Sequence, residues 1–260
     1  MSASSETDFT GPSLRKITYE DPWRWLAKGW KDMTAIPSVS LTYGFVFFLE
    51  LAIVAAILVG YRISAIALPV AAGIVLMGPA LAAGLYKASK RLEAGQSVAL
   101  KDVFVVQAVS KGQLALFGVA LVLIFMVWLR IAMLLFALFF SQLELPPIET
   151  FLSDLFLTNE GISMLVVGTV IGGAIAAAIF MISVVSVPML MDRDIDAMSA
   201  IIHSIRAFFE NFAPMVLWGW LIVVIFIAGL ALGGLGLIVA FPVIGHATWH
   251  AYRAVVDWGD

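Results

Sequence analysis

Cysteine is absent from this 260-residue chain, which excludes disulfides, iron–sulfur clusters and thiol chemistry. Charge is scarce as well. Asp, Glu, Lys and Arg make up 13% of the residues, about half the ~25% of a soluble domain. A water-soluble fold of this size needs that charge for its surface, so a soluble globular domain is excluded. There is no basic run and the net charge is −3, which excludes nucleic acid as a partner. With 62% hydrophobic residues and a mean hydropathy of +1.02, disorder is excluded too. What remains is an all-α, polytopic membrane helix bundle whose first partner is the lipid bilayer.

A spanning helix needs ~20 mostly apolar residues. Stretches of this kind lie at about 41–60, 63–86, 113–140, 162–190, 214–232 and 235–255. The last two come from one run between Pro214 and Val256. As a single helix that run would be about twice the bilayer thickness. Gly229, Gly233, Gly234 and Gly236 predict a turn that folds it into two antiparallel spans. Residues 1–22 contain no apolar core of a signal peptide, so the N-terminus is expected on the cytoplasmic side. Six spans then place thirteen of the fifteen Lys and Arg residues inside, as the positive-inside rule requires. The largest outer segment, 141–161, has Glu144, Glu149, Asp154 and Glu160 and no basic residue.

The cytoplasmic segments carry helical patterns of their own. After Asp21 and Pro22, the residues Trp23, Leu26, Trp30 and Met33 share a face opposite Arg24, Lys28 and Lys31, the mark of a helix lying in the membrane interface. Over 194–212, Ile195, Met198, Ile202, Ile205, Phe209 and Phe212 form a stripe opposite His203, Arg206 and Glu210. A weaker third case covers 97–111, with Leu100, Val103 and Phe104 on its face. The chain therefore reads as a polar tail (1–19) and a single membrane domain (20–257). The domain comprises three units, each a surface helix followed by a hairpin: 20–86, 96–190 and 194–256. Pro69, Pro79 and Pro188 are expected to kink or end helices. Small residues on the spans, among them Gly73, Gly84, Gly168 and Gly172, predict close helix contacts rather than a wide channel.

Ionisable groups in hydrocarbon each need an account. Glu50 falls near the middle of the first span and Arg130 in the outer half of the third. They pair across the membrane, or Arg130 snorkels outward and Glu50 is neutral or caps a neighbour. His246 and His250 are four residues apart and share a face with Trp249 and Arg253. Two His at that spacing can begin a metal site, which would need a third ligand from His203, Asp192, Asp194 or Asp196. Hydrogen bonding to other spans accounts for the pair with fewer assumptions. The three aspartates suit a divalent cation, or more simply the start of the helix at 194–212.

Several motifs give the chain a family likeness. They are Gly78-Pro79 followed by Ala82-Ala83-Gly84-Leu85-Tyr86; Ser89-Lys90-Arg91-Leu92-Glu93-Ala94-Gly95; Pro188-Met189-Leu190-Met191-Asp192-Arg193-Asp194; and Gly245-His246-Ala247-Thr248-Trp249-His250-Ala251-Tyr252-Arg253. Over about residues 14–257 the chain resembles a family of bacterial integral membrane proteins of unknown function, some of them labelled cytochrome c oxidase proteins. The resemblance implies an inner-membrane address and no activity. A haem–copper catalytic subunit needs several His on facing helices, and here there are three in all, so the chain can accompany such an enzyme but not replace it. No catalytic set and no cofactor site is complete. The expectation is a non-catalytic accessory, assembly or scaffold protein working with other membrane subunits. The alternative is a small transporter or permease with Glu50, Arg130, His246 and His250 on its polar path.

Overall fold

The computed structural model describes residues 11–60, 66–105, 108–140 and 148–259. Arg62, the one basic residue that six spans place in an outer segment, and Glu144 lie outside them. Apart from one short strand pair, the regular elements are helices. The chain opens with β1 (Ser13–Leu14), α1 (Asp21–Ala35) and α2 (Pro37–Gly60). Next come α3 (Ala67–Leu76), α4 (Gly78–Leu81), α5 (Ala83–Glu93) and α6 (Leu100–Phe104). The middle of the chain forms α7 (Lys111–Phe140), α8 (Ile148–Leu157), α9 (Asn159–Ser183) and α10 (Ser186–Asp192). The last part forms α11 (Ala197–Glu210), α12 (Phe212–Ala231), α13 (Leu237–Val255) and β2 (Val256–Asp257).

Four helical stretches are long and apolar enough to cross a membrane: Pro37–Gly60, Lys111–Phe140, Asn159–Asp192 and Phe212–Ala231. Their outward faces are mostly apolar, with Glu50 and Arg130 as ionisable exceptions within them. On α12 alone Val216, Trp220, Val223, Ile227 and Leu230 are exposed, a pattern that hydrocarbon tolerates and water does not. The two remaining apolar stretches differ from simple spans. Residues 67–93 form three short helices rather than one, because Pro79 has no N–H to continue the ladder at Met77–Gly78. Their last helix also runs past the expected end at 86, to Glu93. The Tyr43 hydroxyl donates to the Leu81 carbonyl (2.6 Å), and Val39 shares a buried cluster with Ala88. So α3–α5 carry the chain back from the Gly60 end of α2 to its Pro37 end. A similar proline effect separates α9 from α10, where Pro188 cannot donate to the Val184 carbonyl.

Helix α13 is the axis of the bundle. Gly233 and Gly234 take φ of +65° and +81°, forming the expected turn after α12, and α13 then runs back along α12. It also packs antiparallel to α2. A Cβ on Gly44 would lie 2.1 Å from the Ile238 carbonyl oxygen, and one on Gly29 2.7 Å from the backbone of Val243 and Ala247. These two glycines are what allow α1 and α2 to close on α13. Trp25, Trp218, Trp249, Tyr86 and Tyr252 are all fully enclosed, and Trp25 meets Trp218 edge-on at 5.7 Å. The core therefore gathers at one end of the bundle, where both chain ends also meet. Ser13–Leu14 pair with Val256–Asp257 and Arg15 binds Asp257 at 2.8 Å. That anchors residues 13–15, which the sequence assigned to a polar tail.

The connecting helices α1 and α11 are present, and the faces they bury in the bundle differ from their apolar stripes. In α1 the buried set is Pro22, Trp25, Gly29 and Met33, while Trp23 and Trp30 are more than half exposed. In α11 the buried set is Ala197, Ala200, His203, Ser204, Ala207 and Phe208, and Met198, Ile202, Phe209 and Phe212 face outward. The helix expected over 97–111 is reduced to the five residues of α6. The segment 141–161, read as a loop, contains α8, whose Phe151 and Leu155 pack on Phe136.

Candidate functional site

The densest polar cluster lies where α1, α2, α5 and α13 meet. On α5, Ser89 and Glu93 are one turn apart; on α13, so are His246 and His250. The two helices run in parallel register, with Leu85 against Gly245, so each pair faces the other. Asp32 comes in from α1 and Ser40 from α2. Ser40 Oγ lies 2.9 Å from His246 Nε2, and Ser89 Oγ lies 2.8 Å from His246 Nδ1. Ser89 Oγ donates to Asp32 Oδ2 at 2.7 Å. His250 Nε2 reaches the same oxygen at 2.8 Å. Its other nitrogen faces Glu93 at 3.5 Å, and Glu93 pairs with Arg253 at 3.4 Å.

The proton positions follow from counting donors. Ser89 has one hydroxyl proton and gives it to Asp32, so it must accept from His246 Nδ1–H. His246 is then neutral, and its Nε2 accepts from Ser40. His250 has a carboxylate at each nitrogen, so it is held as an imidazolium that donates from Nε2 to Asp32 and faces Glu93 with Nδ1. The chain of dipoles from Ser40 through His246 and Ser89 points at the Asp32 charge, and His250 closes it from the other side. Burial pushes the Asp32 carboxyl up, but the hydrogen bonds from His250 and Ser89 outweigh that and hold it below its ordinary value. Glu93 is lowered in the same way, burial being offset by its contacts with His250 and Trp249.

A second arm continues from α5 to the end of α10. Lys90 Nζ pairs with Asp192 at 2.8 Å, and the Tyr252 hydroxyl donates to the other Asp192 oxygen at 2.8 Å. Trp258 Nε1 donates to that hydroxyl at 2.9 Å, and Arg193 lies over the Trp258 ring at 5.0 Å. The three aspartates, read either as a cation set or as the start of a helix, have separate tasks, and Asp196 has the helix-capping one. Asp194 accepts from Ser110 Oγ at 3.0 Å, and Asp196 caps α11 through the Ser199 N–H at 2.9 Å. Among the described residues there is no group of three or more His, Asp or Glu arranged to hold a metal. Both nitrogens of His246 are occupied by serine hydroxyls. Glu50 and Arg130 are each exposed on the outer surface of the bundle, and no ion pair joins them among the described residues.

The structure thus brings Asp192, His246, His250 and Arg253 to one end and leaves Glu50 and Arg130 away from them. Asp32, Ser40, Ser89 and Glu93 were not singled out as site residues from the sequence. Ser89 and Glu93 stand four apart within one of the family-like motifs, as His246 and His250 do within another, and that matched spacing was the available signal. Asp32 sits among lysines on an amphipathic helix, where a carboxylate reads as solvated.

Despite its Ser–His–Asp composition, the cluster is not arranged for hydrolysis. Ser40 and His246 are both fully enclosed, so no carbonyl can approach the Ser40 oxygen. Residues 67–192 match the family model described as "Predicted integral membrane protein" (DUF2189). Over that segment, a little under half of the chain, it is similar to that family. The matched segment spans α3 to the end of α10 and so supplies Ser89, Lys90, Glu93 and Asp192. Their partners Asp32, Ser40, His246, His250 and Tyr252 come from the flanking parts of the chain. No curated protein and no solved structure matches the chain.

Proposed function

We propose that this is a non-catalytic membrane protein that serves as an accessory, assembly or scaffold component for another membrane protein. It crosses a bacterial inner membrane six times with both ends in the cytoplasm. The observation that carries the reading is the closure of the polar cluster. Its central groups satisfy one another, and Ser40 and His246 have no exposed surface. Such a cluster fixes helix positions and turns over no substrate. The orientation is supported by the distribution of Lys and Arg, and the six crossings by the return of α3–α5 along α2 and of α13 along α12. Among the described residues, the outer face of α9 offers Val166, Val170 and Ala174 without a partner helix, an apolar surface of the kind that membrane helices pack on. A transporter path through Glu50, Arg130, His246 and His250 has no such support, since the first two are on the outside and His246 is sealed.

Affinity purification from native membranes in a mild detergent, with mass spectrometry of what co-elutes, tests the reading. The expected result is one membrane protein at near-stoichiometric yield, lost when Val170 and Ala174 are both replaced by Phe. Recovery of the chain alone, or only as copies of itself, would refute it.

A further inference from the structure

A groove of about 450 Å³ runs between α9, α12, α13 and the broken helix α3–α5. Its size falls within the ~300–1,000 Å³ of small-molecule sites. Its walls are almost wholly apolar, with Phe47, Phe226 and Phe241 at the back. It is open along one side, where Gly173, Ala176, Ala177 and Trp220 are exposed. Small residues keep that side clear: a Cβ on Gly173 would meet nothing within 4 Å. The ten helical steps from Gly173 to Ser183 give a length of ~15 Å, half of the ~30 Å hydrocarbon thickness.

The groove is also polarised. The end at Gly173 and Phe226 is apolar. The other end, toward the polar cluster, is lined by Tyr86, Thr248 and Ser183. Ser183 is 1% exposed but, unlike Ser40, it borders the groove, and its hydroxyl has no hydrogen-bond partner. A buried hydroxyl in an apolar wall without an acceptor is costly. It can be accounted for by an acceptor that arrives with a ligand.

We infer that this groove binds one acyl chain of a bilayer glycerolipid, with the ester carbonyl accepting from Ser183 Oγ and the tail running toward Gly173 and Phe226. The length of one leaflet, the opening toward a surface of apolar spans, and the polar-to-apolar gradient all match that ligand.

The test reconstitutes the full chain in phosphatidylcholine vesicles containing a small fraction of phosphatidylcholine with a photoreactive diazirine in its acyl chain. Irradiation is followed by peptide mapping. Adducts are expected in the peptides containing Gly173–Val184 and Val216–Phe226. Ala177→Phe, which fills the groove, should lower this labelling by about tenfold. Ala178→Phe, which adds the same ring to α9 outside the groove, should leave it unchanged. Gly173→Leu provides a second filling variant at a position with free space. An ether-linked diazirine lipid, lacking the carbonyl, should label wild type about two- to tenfold less than the ester, and that difference should vanish in Ser183→Ala. Equal labelling of the Ala177→Phe and Ala178→Phe proteins would mean only surface lipid and would overturn the site. Ester and ether lipids labelling wild type alike would overturn the role of Ser183. A protein cross-linked in the groove in native membranes would replace the lipid with a partner.

Discussion

Asp32 takes two hydrogen bonds on one oxygen, from Ser89 at 2.7 Å and His250 at 2.8 Å, and so carries the charge on which the cluster is aligned. Removing it leaves an imidazolium and a serine hydroxyl facing an apolar interior. Asp32→Ala should destabilise the protein by about 2–4 kcal/mol, somewhat below the usual cost of breaking a fully buried pair because Asp32 is partly exposed. Asp32→Asn keeps the shape but not the charge and should cost less. The pH dependence has a definite sign. Because the folded-state pKa of Asp32 lies below its ordinary value of 3.8, its contribution is fully present above about pH 4 and is lost as pH falls through the lowered value. Unfolding in detergent, followed by tryptophan fluorescence between pH 3 and pH 7, should show a steep acid loss in wild type. The loss should be shallower in Asp32→Asn, with Glu93 supplying what remains. A wild-type and Asp32→Asn pair with parallel pH profiles would remove Asp32 from this role.

At the level of whole elements, the helices connecting the spans show which features the sequence made legible. Apolar periodicity located α1 and α11, and the paired glycines located the α12–α13 turn. The buried faces could not be read the same way. In water a large apolar residue points inward, but beside a membrane both directions are apolar. Close helix contact then selects small residues for the protein side. Hence Gly29 faces α13 while Trp23 and Trp30 face out, and Ala200, Ser204 and Ala207 of α11 face in while Met198 and Phe209 face out. The polar cluster was hidden for a related reason. Each of its members is an ordinary residue in its own helix, and only the register of α5 against α13 joins them. The phase of α1 can be checked directly. Trp25→Ala removes a fully buried ring stacked edge-on against Trp218 and should cost about 3–5 kcal/mol. Trp23→Ala, two residues away, should change the unfolding midpoint by less than about 0.5 kcal/mol equivalent. The reverse order would put Trp23, not Trp25, against the bundle.

Across the whole molecule, the proposed six crossings must include two legs that are not among the four long apolar helices. The α3–α5 leg is apolar at its start but broken into three short helices. Helix α13 is long enough, but its second half carries His246, His250 and Arg253 into the polar cluster. If α3–α5 crosses the bilayer, Gln96 must lie on the same face as Tyr19; if it does not, Gln96 shares a face with the far end of α2. If α13 crosses, Leu235 lies opposite Tyr19. The absence of cysteine makes single-cysteine labelling clean here, since no background thiol competes. Tyr19, Gln96, Leu157 and Leu235 are all exposed. In sealed inverted vesicles, a membrane-impermeant maleimide should modify Tyr19→Cys and Gln96→Cys. It should reach Leu157→Cys and Leu235→Cys only after the membrane is opened. Labelling of Gln96→Cys with the Leu157 group would reduce the count to fewer crossings and would detach the positive-inside orientation from the fold.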